Sequence, residues 1–272
     1  MKTIEYMKPT NLNEAVGILK ADGRDVRVLA GGTDLLVQMR TGRKQARTLL
    51  DVKEIPELNS LSYTPGKGLT LGASVPCFQV YGDVQVAAAY PGLIDSATLI
   101  GGIQIQGRAS IGGNLCNAAP SADAVPMLIA LGAVCDIAGP KGARRVPAES
   151  YCTAPGENVL LPDELLVSLH FPPPLPNSGA RYIRFIPRNE MDIAVVGTGV
   201  SVVLDESATT FKSAKIALAS VAPTPLLCEE AGAFLAGKPV TDENIVRAAE
   251  LGSIAARPIS DMRGTAEYRR HL

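Results

Sequence analysis

Ser110–Asp123 reads SIGGNLCNAAPSAD, and an earlier run, Leu29–Leu36, reads LAGGTDLL. Each places a Gly-Gly pair, Gly112-Gly113 and Gly31-Gly32, behind an apolar stretch and ahead of small polar residues. Consecutive glycines carry no Cβ, so the main chain can approach an oxyanion and turn its N–H groups inward. A helix opening just after the second loop would add its positive end, with Ser121 or Asp123 as a competent N-cap. Thr33, Ser110, Asn114 and Ser121 supply neutral donors, and Asp34 or Asp123 is placed to accept from sugar hydroxyls. Neither loop holds Lys or Arg, so phosphate charge is expected to meet backbone dipoles. The organising expectation is that the two loops face each other across one pyrophosphate. A Gly-Gly pair by itself is more often a turn, and that is the reading for the third pair, Gly101-Gly102. No G-x-G-x-x-G opens a helix, and no G-x-x-x-x-G-K followed by Ser or Thr occurs. A Rossmann domain and a P-loop NTPase are therefore poor fits.

Outward from these loops the chain alternates strand and helix. Tyr6–Lys8 reads as a short strand, Asn11 or Asn13 as the cap of a helix through Lys20, and Val26–Leu29 as the strand entering the first glycine turn. Asp34–Arg40 reads as a short helix or extended turn, and Thr48–Val52 as the next strand. A second segment begins near Pro56, with Leu69–Gly72 extended and helices at Tyr81–Ala89 and Pro91–Gly101. Ile103–Ile111 is expected to be the strand feeding the main loop, and Ala124–Leu131 the helix after it. Ala133–Ala138 and Glu164–Phe171 read as strands, with only a connection starting at Val146–Ala148. Pro172–Pro174 opens the best linker in the sequence. Beyond it Ala180–Ile186, Ile193–Leu204 and Ala214–Ala219 are β-branched strands, followed by helices at Leu226–Leu235, Asp242–Ala256 and Arg263–Arg270. The expected organisation is two lobes, 1–55 and 56–174, and a C-terminal sheet-plus-helices domain, 175–272.

The 272 residues are 46% hydrophobic, enough apolar material for a substantial core. The 26 basic and 27 acidic residues nearly cancel and form no block, which disfavours a nucleic-acid footprint or polybasic membrane anchor. Trp is absent, arguing against a stacking platform for single strands. No window approaches the ~18–20 apolar residues of a membrane span, and the start lacks a signal-peptide apolar core; a soluble, cytoplasmic protein is expected. Five cysteines are dispersed without a C-x-x-C, which speaks against a disulfide framework, an iron–sulfur cluster or structural zinc in this chain. With only His170 and His271, a histidine-based hydrolase or multi-histidine metal site is excluded, and no metal ligands or catalytic nucleophile–base pair are expected.

AGGTDLL at Ala30–Leu36 and ASIGGNLCNAAPSAD at Ala109–Asp123 resemble the two flavin-pyrophosphate loops of one family. RNEMDIAVVG at Arg188–Gly197 resembles that family's R-x-x-x-D-I-A segment. The opening EYMKPTNLNEAVGIL (Glu5–Leu19) and the ending RPISDMRGTAEYRRHL (Arg257–Leu272) are similar to it too. The family is the FAD-binding medium subunit of the xanthine dehydrogenase and carbon monoxide dehydrogenase molybdenum hydroxylases. The resemblance implies an α+β fold: a two-lobed, vanillyl-alcohol-oxidase-like (PCMH-type) FAD-binding domain followed by a small antiparallel sheet plus helices. It implies FAD contacts from Val28, Leu29, Ala30, Gly31, Gly32, Thr33, Asp34 and Leu35, and from Ser110, Ile111, Gly112, Gly113 and Asn114. Asp123 matches a position on the adenosine or ribityl side. Leu166 and Arg184 match further contacts, with Arg184 standing where Lys is common. Ile193 falls where some members place a Tyr over the flavin ring and others an Ile.

The resemblance also implies an electron-transfer subunit that does not touch the organic substrate. Molybdopterin is expected in a large partner subunit and 2Fe–2S clusters in a small one, the three forming a heterotrimer or its dimer. Electrons would pass from the clusters through FAD to an external acceptor. The alternatives are a free-standing FAD-dependent oxidase or reductase, and a structural adaptor that has lost FAD. The first would need a larger substrate domain, and the intact glycine pairs argue against the second. Family members usually continue the final helix past EYRRHL.

Overall fold

A computed structural model describes residues 4–272; the first three residues of the expected 1–55 lobe lie outside the described residues. That lobe runs β1 (Glu5–Met7), α1 (Leu12–Asp22), β2 (Val26–Leu29), α2 (Leu35–Arg40) and β3 (Thr48–Asp51). Its strands make a parallel sheet in the order β1-β3-β2. Asn11 caps α1 by accepting the Glu14 N–H at 2.9 Å. Ala15 and Leu19, four apart, turn inward onto Val26, Leu50 and Val52.

The middle of the chain runs β4 (Leu61–Thr64), β5 (Gly68–Gly72), α3 (Cys77–Gly82), α4 (Val84–Ala89), α5 (Pro91–Ala97), α6 (Ile103–Gln106), α7 (Ile111–Asn117) and α8 (Ala124–Ala130). It continues through β6 (Val134–Gly139), β7 (Gly142–Pro147), the ribbon β8 (Cys152–Ala154) and β9 (Glu157–Asn158), and β10 (Leu165–Phe171). Five of these strands form an antiparallel sheet, β4-β5-β10-β6-β7. Leu69, Leu71, Leu169 and Phe171 of the sheet share one core with Val80, Leu93, Leu115 and Leu128 of the helices. Tyr90 packs edge-on against Tyr63 at 5.8 Å, and its hydroxyl donates to the Pro172 carbonyl at 2.9 Å, anchoring the start of the proline run.

Beyond the prolines, β11 (Ser178–Phe185), β12 (Val196–Leu204), β13 (Phe211–Ala219) and β14 (Leu226–Leu227) form an antiparallel sheet in chain order. Helices α9 (Glu229–Leu235), α10 (Asp242–Ala255) and α11 (Ala266–His271) follow. The sheet sits directly on α5 and α8: a Cβ at Gly199 would lie 2.8 Å from the Pro126 carbonyl carbon, and one at Gly92 2.9 Å from that of Ala180. Backbone-to-backbone approach of this kind is what glycine permits at a domain contact.

Several local expectations are corrected. Ile103–Ile111 is not a strand but the short helix α6 and the start of α7, so the second glycine pair lies inside a helix. The reason is burial at helical spacing: Ile111 and Leu115, four apart, are both in the core, and Ser110 caps the turn by accepting the Gly113 N–H at 3.0 Å. Neither Ser121 nor Asp123 caps α8 with its side chain; Asn114 Oδ1 accepts the Ala124 N–H at 3.2 Å instead. The expected helix Tyr81–Ala89 is split at Asp83, which caps α4 through Gln85 and Val86. Gly142–Pro147 is an edge strand, hard to see because most of its residues face water. Ile193 precedes β12 rather than lying in it, and Leu226-Leu227 is a strand because it pairs with Ala217 and Leu218.

Candidate functional site

The turn between β2 and α2 faces the start of α7 and the chain around Leu161–Leu166 across a cleft of about 380 Å³. Val28, Ala30, Gly31, Gly32, Thr33, Asp34 and Leu35 line one wall, Ser110, Gly112, Gly113 and Asn114 a second, and Leu161, Pro162, Leu165 and Leu166 a third. The two sequence-predicted loops therefore do meet. Leu29 and Ile111 belong to the same segments but turn into the core, 5% and 1% exposed.

Main-chain donors set the chemistry of the cleft. The N–H groups of Gly31, Gly32, Thr33 and Asp34 donate to no acceptor among the described residues, and the same holds for Ile111 and Gly112. Backbone donors are rarely left unsatisfied once water is excluded, so a run of them lining a cleft is a place for oxyanions. Gly32 has φ +77°, a left-handed conformation that turns the chain from β2 into α2.

The glycines divide by role. A Cβ at Gly31 would lie 2.0 Å from the Arg108 carbonyl oxygen, and one at Gly112 2.5 Å from that of Ala73. These two are glycine because another part of the protein presses on them, not because a ligand must. At Gly113 a Cβ would meet only the Ser110 hydroxyl, at 2.9 Å, within 4 Å.

Tertiary folding also supplies cations that the loops lack. Arg27 and Lys44 line the cleft, so phosphate charge need not be met by backbone dipoles alone. Gln38 donates to Asn117 Oδ1 at 2.8 Å and ties α2 to the end of α7. None of these four was singled out from sequence; the nearest signal was the basic run Arg43-Lys44, which falls outside both glycine motifs. Cys116 lines the cleft too, but burial pushes its thiol up to about 11, with the Tyr151 hydroxyl pulling more weakly the other way. It is no nucleophile at neutral pH.

Asp123, Arg184 and Ile193 do not line this cleft. Asp123 is buried, with Oδ1 accepting from the Tyr182 hydroxyl at 2.9 Å and Oδ2 from Arg184 Nη1 at 2.7 Å. Burial raises its carboxyl above the usual range, against the opposing pull of Arg184 and Tyr182. Its carboxylate is thus occupied in joining α8 to β11 rather than free to accept from a sugar. Ile193 is 44% exposed, in the segment whose Met191 contacts the turn at Gly102. That turn follows Ile100 of the cleft wall. The unpaired N–H groups, the two cations and the apolar surface of Val28 and Leu166 together fit a nucleotide bearing a pyrophosphate, as FAD does.

Comparison with known proteins agrees. Residues 2–174 match the family described as the FAD binding domain in molybdopterin dehydrogenase, and residues 181–272 the CO dehydrogenase flavoprotein C-terminal domain. The chain is similar to the carbon monoxide dehydrogenase medium chain of Afipia carboxidovorans, 33% identical over 98% of this chain and 91% of the relative. It is similar to the xanthine dehydrogenase FAD-binding subunit of Escherichia coli O157:H7, 31% identical with the same coverage. Among solved structures, carbon monoxide dehydrogenase from Hydrogenophaga pseudoflava, in a form lacking the Mo-pyranopterin moiety, superposes with a TM-score of 0.93. It is 32% identical, over 98% of this chain and 92% of that one. The architecture is a PCMH-type FAD-binding domain carrying a C-terminal domain. The chain belongs to the FAD-binding subunits of the xanthine dehydrogenase and carbon monoxide dehydrogenase family, a family of oxidoreductases. Among the described residues no helix is long and apolar enough to cross a membrane.

Proposed function

We propose that this chain holds FAD in the cleft between its first two lobes and serves as the electron outlet of a molybdenum hydroxylase. In that assembly a small subunit would carry 2Fe–2S clusters and a large one molybdopterin, as a heterotrimer or its dimer, and an external acceptor would take the electrons from this chain. The observation that carries the reading is the set of unpaired N–H groups, Gly31–Asp34 on one wall and Gly112 on the facing wall of one cleft. They would bind the pyrophosphate, assisted by Ser110 and Asn114, while Val28 and Leu166 pack against a ring. By resemblance to the family, Asp123 is assigned to the adenosine or ribityl side of FAD, Arg184 to a further contact and Ile193 to the flavin ring. FAD, when bound, supplies one- and two-electron redox chemistry. The protein's own residues would bind and orient it. The boundaries 1–55, 56–174 and 175–272 belong to the same proposal, supported by a separate sheet in each segment.

The test is to purify the full chain, measure flavin absorbance and FAD stoichiometry, and identify what co-purifies with it. One FAD per chain in company with an iron–sulfur subunit is expected. A chain that keeps FAD and oxidises organic substrates alone would instead be a free-standing oxidase. A colourless protein that cannot be reconstituted would make it an adaptor.

A further inference from the structure

The glycine turn is gripped from its outer side by two cations. Lys53 Nζ lies 3.3 Å from the Ala30 carbonyl oxygen, and Arg108 Nε lies 3.4 Å from that of Gly31. Lys53 is held in place: its ammonium is 2.6 Å from Asp51 Oδ1, and its own backbone N–H donates to the same oxygen at 3.0 Å. Asp51 is 1% exposed and takes the Tyr6 hydroxyl on its other oxygen. Those hydrogen bonds outweigh burial and keep its carboxyl below the usual range, so the anchor is charged. Ala30, Gly31 and Gly32 line the cleft, whereas Lys53, Asp51 and Arg108 do not.

In a trans peptide the C=O and the following N–H point in opposite directions. A cation that fixes the Ala30 carbonyl outward therefore fixes the Gly31 N–H the other way. A second cation on the Gly31 carbonyl does the same for the Gly32 N–H. Both N–H groups are unpaired, and a positive charge on each carbonyl polarises its peptide and makes the N–H a stronger donor. The strand pairing does not need this arrangement, because β2 is already secured to β3 as far as Leu29 opposite Asp51, with the Val52 N–H on the Leu29 carbonyl.

We propose that Lys53 and Arg108 are positioning residues for the pyrophosphate: they aim and polarise the N–H groups of Gly31 and Gly32 from behind, without touching the ligand. The proposal rests on the cleft being the FAD site.

The test titrates apoprotein with FAD by flavin fluorescence, displaces it with ADP, and follows the unfolding midpoint of each apo form. The variants are Lys53→Met, Lys53→Arg, Arg108→Met and Arg108→Lys in the full chain; Arg108 is exposed, so its substitutions spare the core. Lys53→Met and Arg108→Met should each weaken FAD and ADP about tenfold, the scale of one charge-assisted hydrogen bond. Lys53→Arg and Arg108→Lys should restore most of the affinity; the apo midpoints of the Arg108 variants should barely move, whereas that of Lys53→Met should fall because the buried Asp51 loses its ion-pair partner. Wild-type affinity in both Met variants would overturn the proposal. So would a loss in Arg108→Met that tracks apo stability, or a loss in either Met variant that the conservative cation does not restore. A wild-type chain that binds neither FAD nor ADP would overturn the reading of the cleft itself, an outcome distinct from the others.

Discussion

Gly112 and Gly113 are adjacent and identical, yet their environments separate them. A methyl at Gly112 collides with the backbone of Ala73, which cannot move without disturbing the sheet, whereas a methyl at Gly113 meets one hydroxyl. Gly112→Ala is expected to cost about 1–3 kcal/mol of folding stability, like other overpacking changes. Gly113→Ala should leave the unfolding midpoint closer to wild type and act mainly on FAD affinity; thermal melts of the apoprotein beside flavin titrations distinguish the two. The Asp123–Arg184 pair makes a second residue-scale test, because both side chains are at least nine-tenths buried. Arg184→Met strands a buried carboxylate and should cost about 3 kcal/mol near neutral pH. The sign with pH follows from the raised carboxyl of Asp123: the folded state holds that proton more tightly than the unfolded chain does. Stability from this group therefore grows as pH falls through its raised folded pKa, until the ordinary value near 3.8 is reached. The deficit of Arg184→Met should shrink on acidification across that window, as denaturant titrations at neutral and mildly acidic pH would record.

At the scale of elements, short helices here are held by side chains from elsewhere. Helix α7 has seven residues and is secured by the Ser110 cap at one end and by the left-handed Ala118, φ 50°, at the other. Asn114 on α7 then caps α8, so the two helices are set as a unit. Ser110→Ala should cost about 1 kcal/mol through the lost cap, visible as a small drop in the apo unfolding midpoint. The C-terminal helix is tied more strongly. Arg269, 5% exposed, donates to the Val195 carbonyl at 2.6 Å, the Ser220 carbonyl at 2.9 Å and Asp261 at 2.8 Å. Arg269→Met should lower stability by about 3 kcal/mol, since it leaves the buried Val195 and Ser220 carbonyls without their charged donor. Limited proteolysis should then cut near α11 before the rest of the chain.

Across the whole molecule, the proposed FAD site is a cleft lined by residues from both the first and the second sheet-bearing segments, so binding there would be coupled to folding. Free FAD at a hundred times its dissociation constant should add about 2.7 kcal/mol to unfolding stability. Differential scanning calorimetry with and without FAD would show the midpoint rising with ligand concentration. A midpoint insensitive to FAD would count against a site between the lobes.

Much of this was present in the order of residues. The strand-helix-strand order of the opening was legible because Asn11, the spacing of Ala15 and Leu19, and the apolar run Val26–Leu29 are local signals acting within a few residues. The facing glycine pairs were legible for the same reason, since a Gly-Gly pair among small polar residues reports on its own backbone. What sequence could not show is what each glycine is pressed against. Nor could it show that the segment before Gly112 coils into a helix, or that Asp123 is committed to Tyr182 and Arg184 about sixty residues away. No local motif marks Lys44, Lys53 or Arg108; folding brings the first into the cleft and the others against the carbonyls of its glycine turn. Local propensity and patterning are encoded over a turn or a strand. Burial, ion pairing and the direction of an unpaired N–H depend on residues far apart in the chain, and only the tertiary structure decides them.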